Sequence, residues 1–199
     1  MPVVVVEKSN GLTAKQTARR ARVLVIVRGL AAEGGYDAVQ MRDVAARAQV
    51  ALGTLYRYFS SKDHLLASVW VDWAGELAHG VVTRPARGET PAERVLDVLG
   101  RATRALEQQP QLSAALVTAL LSTDPVVGEC QRRTSAFTAE SLRSAIGDDL
   151  DPDTTERVVK VIHHVWFSAL VTWVNGWSDM DVVGAQLRLA AEVLLTPTP

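Results

Sequence analysis

The chain has 199 residues, 48% of them hydrophobic and 22% charged, and a formal net charge of −1. This length allows one large or two small domains, with ample apolar content for a buried core. A single cysteine, Cys130, excludes an internal disulfide and a cysteine-based metal site. Because no signal segment opens the chain and no apolar run approaches the roughly 20 residues of a membrane helix, we expect a cytoplasmic protein.

The charge is unevenly divided along the chain. Residues 1–63 hold ten Lys and Arg against five Asp and Glu, a net +5, whereas residues 64–199 hold eleven against seventeen, a net −6. A basic surface confined to one end of a nearly neutral protein is what electrostatic steering towards a polyanion requires. The pattern indicates that the N-terminal part contacts nucleic acid.

Helical periodicity dominates the sequence and predicts an all-α fold of about nine helices, after a disordered tail over residues 1–12. The first helix is capped by Thr13, runs to about Glu33 and ends at Gly34 and Gly35. Basic residues cluster in its first three turns and are candidates for contacts with a phosphate backbone: Lys15, Arg19, Arg20 and Arg22.

Two short helices joined by a tight turn follow, from Met41 to Ala48 and from about Ala51 to Tyr58. One face of the pair is apolar, and the other carries hydroxyls, a guanidinium and a glycine, which suit a helix that enters the major groove. Periodicity alone leaves open an ordinary pair of packed helices. The predicted DNA-contacting residues are Gln40, as an N-cap, Arg42, Ala51, Leu52, Gly53, Thr54, Tyr56, Arg57, Tyr58 and Lys62.

The stretch GGYDAVQMRDVAARAQVALGTLYRYFSSKDHLL resembles the DNA-binding domain of the TetR (tetracycline repressor) family. Two residues depart from the family pattern: Ala51 stands where the family usually has Ser or Thr, and Gln40 stands where it often has Thr. The resemblance implies a helix-turn-helix domain over residues 13–62, a ligand-binding and dimerisation domain over residues 63–199, and a duplex DNA operator as partner. The resemblance is based on these motif residues: Val50 in the turn, Gly53-Thr54-Leu55-Tyr56, Tyr58-Phe59, and Ser61-Lys62 before Asp63.

Four further helices are predicted over about Lys62 to Val82, Thr90 to Gln109, Gln111 to Leu121 and Pro125 to Ile146. Large apolar side chains recur on the fourth to eighth helices, and each taken alone is more often core than pocket. The family resemblance implies that this region encloses a cavity for a small hydrophobic effector. The candidate lining residues are Trp70, Trp73, Leu77, Leu106, Leu116, Leu120, Phe137, Trp166 and Trp173.

The last two helices, from Asp151 to about Trp177 and from about Met180 to Leu195, are apolar nearly all round. Such helices are buried on both sides, so we expect a four-helix interface with a second copy of the chain. The alternative is the centre of a larger monomer core. The candidate interface residues are Val158, Ile162, Val165, Ala169, Val182, Leu187 and Leu194.

No spacing in the sequence favours catalysis, a cofactor or a metal, because adjacent His163 and His164 on a helix point about 100° apart and cannot chelate one ion. The resemblance implies a nucleoid-associated repressor, dimeric on a palindromic operator and released by a hydrophobic effector. Within the family, the stretch GGYDAVQMRDVAARAQVALGTLYRYFSSKDHLL and the later segment VWFSALVTW resemble the KstR-type sterol-catabolism repressors of actinobacteria. This resemblance implies that the effector is a sterol-derived metabolite or its CoA thioester. The alternative function is a helical carrier of hydrophobic ligands with a basic head.

Overall fold

Nine α-helices account for most of residues 13–196, the part of the chain that the computed structural model describes, and no strand occurs there. The expected tail over residues 1–12 lies outside the described residues. In chain order the helices are α1 (Ala14–Ala38), α2 (Met41–Arg47), α3 (Leu52–Tyr58), α4 (Lys62–Thr83), α5 (Pro91–Glu107), α6 (Pro110–Leu120), α7 (Pro125–Ile146), α8 (Pro152–Val174) and α9 (Met180–Leu195).

Side-chain caps fix most of the helix starts that the sequence predicts. Thr13 and Thr90 form capping boxes with Gln16 and Glu93, and the Asp124 side chain accepts from the Val126 amide. Gln40 departs from this pattern. Its side chain makes no cap and instead donates from Nε2 to the Asp37 carbonyl at 2.9 Å.

Two glycines mark where helical geometry is interrupted. Gly35 has a φ of 68°, so α1 is kinked at the predicted end and continues for one further turn to Ala38. The predicted extension of α8 to Trp177 is wrong, because α8 ends at Val174 and Gly176, with a φ of 70°, reverses the chain. Apolar residues that continue past a helix end give no periodicity signal for that end.

Helices α1 to α3 form an N-terminal unit, here called the head, and α4 to α9 form the C-terminal domain. The two parts share one continuous apolar core. Helix α1 packs against α6 and α4, while α4 packs against α7, so the head rests directly on the domain behind it. Helix α8 packs against both α7 and α9.

Within residues 13–196, none of the helices combines the length and the apolar character that crossing a membrane requires.

Candidate functional site

The turn between α2 and α3 presents one side of α3 to solvent. Gln49 adopts a φ of 54°, which makes the turn tight, and fully buried Leu55 and Phe59 hold α3 against the head. Gly53 and Tyr56 lie one turn apart on the outer face, where Tyr56 is 49% exposed. No atom lies within 4 Å of a Cβ built on Gly53, so the backbone there is open to a close-approaching partner.

Some of the predicted DNA-contacting side chains are exposed to solvent, and others pack partly against the core. Arg57 is exposed on α3, as are Gln40 and Arg42 at the start of α2 and Ala51 before α3, whereas Thr54 is half-buried. Leu52 and Tyr58 pack partly against the core, and the Tyr58 hydroxyl is buried without a hydrogen-bond partner. Tyr58 therefore does not belong to the open face: Leu55 in α3 and Phe59, the C-cap directly after it, are both buried, and Tyr58 between them is turned partly inward as well.

Lys62 and Arg20 are held by aromatic rings at the junction of the head and α4. The Lys62 Nζ lies 3.7 Å from the Tyr36 ring centroid, and the Tyr36 hydroxyl donates to Asp63. Burial and the neighbouring Asp63 carboxylate raise the pKa of Tyr36 from 10.0 to about 12, so the phenol stays protonated, and remains a donor, into the alkaline range. The Arg20 guanidinium lies 5.4 Å from the Phe59 ring centroid, so this member of the basic cluster packs within the head, against the residue that follows α3.

A cavity of about 390 Å³, here called the main cavity, is enclosed by α4, α5, α7 and α8. Three of the candidate lining residues, Leu116, Leu120 and Trp173, do not line it. Leu116 and Leu120 are buried where α6 packs against α1, α4 and α8, and Trp173 packs against the core near the end of α8. The candidates that the structure brings together around the cavity are Trp70, Trp73, Leu77, Leu106, Phe137 and Trp166.

Four aromatic side chains, Trp70, Trp73, Phe137 and Trp166, contribute to the walls of the main cavity. The Trp70 and Trp73 rings meet edge to face with centroids 5.6 Å apart, and the Trp166 Nε1 donates to Thr103 Oγ1 at 3.1 Å. Exposed lining residues, among them Glu76 and Arg84, mark the side open to solvent. The cavity can therefore take a large apolar body with its polar end outward.

Comparison with known proteins assigns both parts of the chain. Residues 28–69 match the family described as bacterial regulatory proteins, tetR family, and residues 88–194 match the tetracyclin repressor-like C-terminal domain. The chain belongs to the TetR family. The predictions of this family and of its all-α, helix-turn-helix architecture are thus confirmed.

Relatives in this family include named repressors. The transcriptional repressor KstR of Rhodococcus jostii is 37% identical over 180 residues, which cover 90% of this chain and 84% of that protein. A TetR regulator from Rhodococcus sp. RHA1 has a crystal structure with a TM-score of 0.78 at 32% identity, covering 93% of this chain and 100% of that one. This TetR-family chain is a DNA-binding transcriptional repressor.

A more distant likeness concerns the fold alone. Thermus thermophilus FadR, a repressor solved in complex with lauroyl-CoA, has a TM-score of 0.71 at 19% identity, covering 90% of this chain and 97% of that chain.

The candidate interface residues lie on both sides of α8 and α9. Val158, Ile162, Ala169 and Leu187 are buried within the chain itself, so they are not available to a second copy. Val165 and Leu194 are half-buried, and Val182 is 40% exposed. The periodicity of apolar residues indicates that α8 and α9 each have two apolar sides, but it does not predict which side packs against the same chain. The large apolar residues that remain exposed on these helices are Val161, Val182, Leu189 and Val193.

Sequence reasoning missed several residues that line the main cavity. Thr134, Thr138 and Ser141 share one face of α7 with the predicted Phe137. Thr134 and Ser141 lie three and four residues from Phe137, and Thr138 lies four and three residues from those two, which was a usable signal. Small polar residues on a helix, however, usually indicate a solvated face. On α5, Leu99 and Ala102 also line the main cavity, and neither is among the candidate lining residues.

Proposed function

We propose that this repressor is a homodimer on a palindromic operator, and that a bulky hydrophobic effector in the main cavity releases it. The effector class that we propose is a sterol-derived metabolite or its CoA thioester. The observation that carries the proposal is the cavity of about 390 Å³ walled by Trp70, Trp73, Phe137 and Trp166. The similarity to KstR supports the repressor part, and the lauroyl-CoA complex of FadR supports a thioester as one effector form.

The homodimer is supported by the exposed apolar residues of α8 and α9. Val161, Leu189 and Val193 are 45%, 61% and 71% exposed, and aliphatic side chains this accessible favour burial against another surface. A two-fold axis through these helices would place two heads side by side, which suits two half-sites of an operator. Each α3 would then enter a major groove. We place the protein in the cytoplasm, where such an operator is accessible.

The experiment is operator retardation by the full-length protein, titrated with a steroid carboxylic acid, its CoA thioester, lauroyl-CoA and CoA alone. We expect the steroid thioester to release the operator at the lowest concentration and CoA alone to have no effect. Release by lauroyl-CoA at an equal concentration would show that the cavity does not select a sterol body. Failure of all four compounds to release a specifically bound operator would contradict the proposed effector class.

A cavity-filling variant tests the site itself. Ala102→Leu adds a side chain into the main cavity and should weaken release about tenfold or more, while operator binding without effector is unchanged. The matched control is Ala136→Leu, the same change at an exposed position of α7 that does not line the cavity. Equal effector responses of the two variants would show that the effector binds elsewhere.

A further inference from the structure

A second depression, here called the α7–α8 groove, lies between these two helices and has a volume of about 480 Å³. Helix α7 turns Phe137 towards the main cavity and Ser135 towards the groove, while α8 turns Trp166 towards the cavity and Phe167 towards the groove. On each helix the two sets of residues point in directions about 100° apart. The groove is therefore separate from the main cavity, although the same helices line both.

The floor of the groove combines an apolar surface with one unsatisfied imidazole. Ala139, Val159 and Phe167 supply the apolar surface. The His163 Nε2 lies 3.1 Å from Ser135 Oγ, whereas its Nδ1 is buried and has no hydrogen-bond partner. When Ser135 donates to Nε2, the proton of the neutral ring resides on Nδ1, which is then a free donor. A buried donor without an acceptor is costly, so an acceptor in the groove would be stabilised there.

The rim of the groove is positively charged within a domain that is acidic as a whole. Arg157 and Lys160 are both exposed in the single chain, beside Val161 of the proposed dimer face, and neither forms an ion pair among the described residues. Glu156, the carboxylate at the groove, is already paired with Arg143. The His164 ring lies beside that of His163, with centroids 5.9 Å apart. Two uncompensated cations at the edge of an apolar floor attract a negative group and leave room for a carbon body.

We propose that the α7–α8 groove is a second binding site, which takes a small organic anion with an apolar body. Phe167, Ala139 and Val159 contact the carbon body, Arg157 and Lys160 pair with its carboxylate or phosphate, and the His163 Nδ1 donates to one oxygen. The proposal goes beyond the effector function of the main cavity and does not depend on it. A bare inorganic anion lacks the body that the floor would cover and should bind more weakly.

The test is isothermal titration of the full-length protein with phenyl phosphate, phenylacetate and inorganic phosphate. We expect saturable binding of one aromatic anion per chain, at least tenfold tighter than inorganic phosphate, and the tighter of the two aromatic probes identifies the preferred charged group. The Arg157→Gln/Lys160→Gln variant should lose at least tenfold in affinity. The matched control is Arg132→Gln, which removes an exposed α7 guanidinium outside the groove.

Three results would overturn the proposal. The first is the absence of saturable binding at millimolar probe, which would be the outcome if a second copy of the chain covers the groove. The second is unchanged binding in the double variant. The third is loss of binding in Ala102→Leu, which would place the probe in the main cavity. Operator release by a steroid thioester is a separate measurement, so failure of one proposal is distinguishable from failure of the other.

Discussion

The Glu76 carboxylate, which lines the main cavity, accepts a hydrogen bond from Arg28 Nη1 on α1 at 3.1 Å. This ion pair joins a wall of the cavity to the head directly, in addition to the chain connection through α4. The two side chains are 34% and 60% exposed, so solvent screens the pair and its strength is about 0.2–1 kcal/mol. An ion pair of this strength can contribute to the coupling free energy between effector and operator binding, but it does not account for most of that free energy.

Arg28→Ala is therefore expected to change the ratio of operator affinities with and without effector by up to about fivefold, since roughly 1 kcal/mol corresponds to that factor. The measurement is operator Kd at saturating and zero effector. Arg132→Ala, which breaks the exposed pair with Glu129 on α7, is the control. If Glu76→Gln changed the ratio while Arg28→Ala did not, the effect would belong to the cavity wall and not to the ion pair.

Gly53→Ala separates stability from DNA binding. A Cβ at Gly53 meets no atom within 4 Å, and alanine is favoured over glycine inside a helix by about 0.5–1 kcal/mol. We expect the variant to melt at a slightly higher temperature and to bind the operator more weakly, because the added methyl lies where the DNA approaches. Gly29→Ala on α1 also meets no atom and should raise stability alone. Unimpaired operator binding by Gly53→Ala would remove Gly53 from the contact face.

Leu116→Ala and Leu77→Ala should behave differently, although the sequence assigns both residues to the pocket. Leu116 is fully buried in α6, so its truncation should lower the free energy of unfolding by about 2–5 kcal/mol. Leu77 is partly buried and lines the main cavity, so its truncation should cost less and should weaken effector binding. Urea denaturation and effector titration of both variants give the comparison. A larger loss of effector affinity in Leu116→Ala would contradict the cavity assignment.

Tyr36→Phe should reduce the loss of folding stability that occurs as the pH rises above 10. The pKa of Tyr36 is raised from 10.0 to about 12, so its neutral form is favoured in the folded state. This contribution is fully present below pH 10 and is lost as the pH rises through about 12. The variant should be less stable by about 1 kcal/mol at pH 7, and the difference should shrink between pH 10 and 12. Tyr56→Phe, with an exposed ring, is the control for loss of a phenol.

Local sequence signals determined the helix starts and the nature of the head. The starts of α5 and α7 are set by Thr90 with Glu93 and by Asp124 before Pro125, through contacts between residues at most four apart in sequence. The local sequence is therefore sufficient to predict where these helices begin. The same holds for the turn before Gly53, where the residues that form the outer face are close neighbours in sequence.

Only the tertiary structure decided which apolar side chains face a cavity, a partner or the core. Trp70 and Leu116 are both large and buried, yet Trp70 lines the main cavity and Leu116 lies in α6, which packs against α1. Leu187 and Leu189 are two positions apart on α9, and one is 3% and the other 61% exposed. The difference lies in how neighbouring helices pack against each face, and burial depends on contacts between residues far apart in sequence.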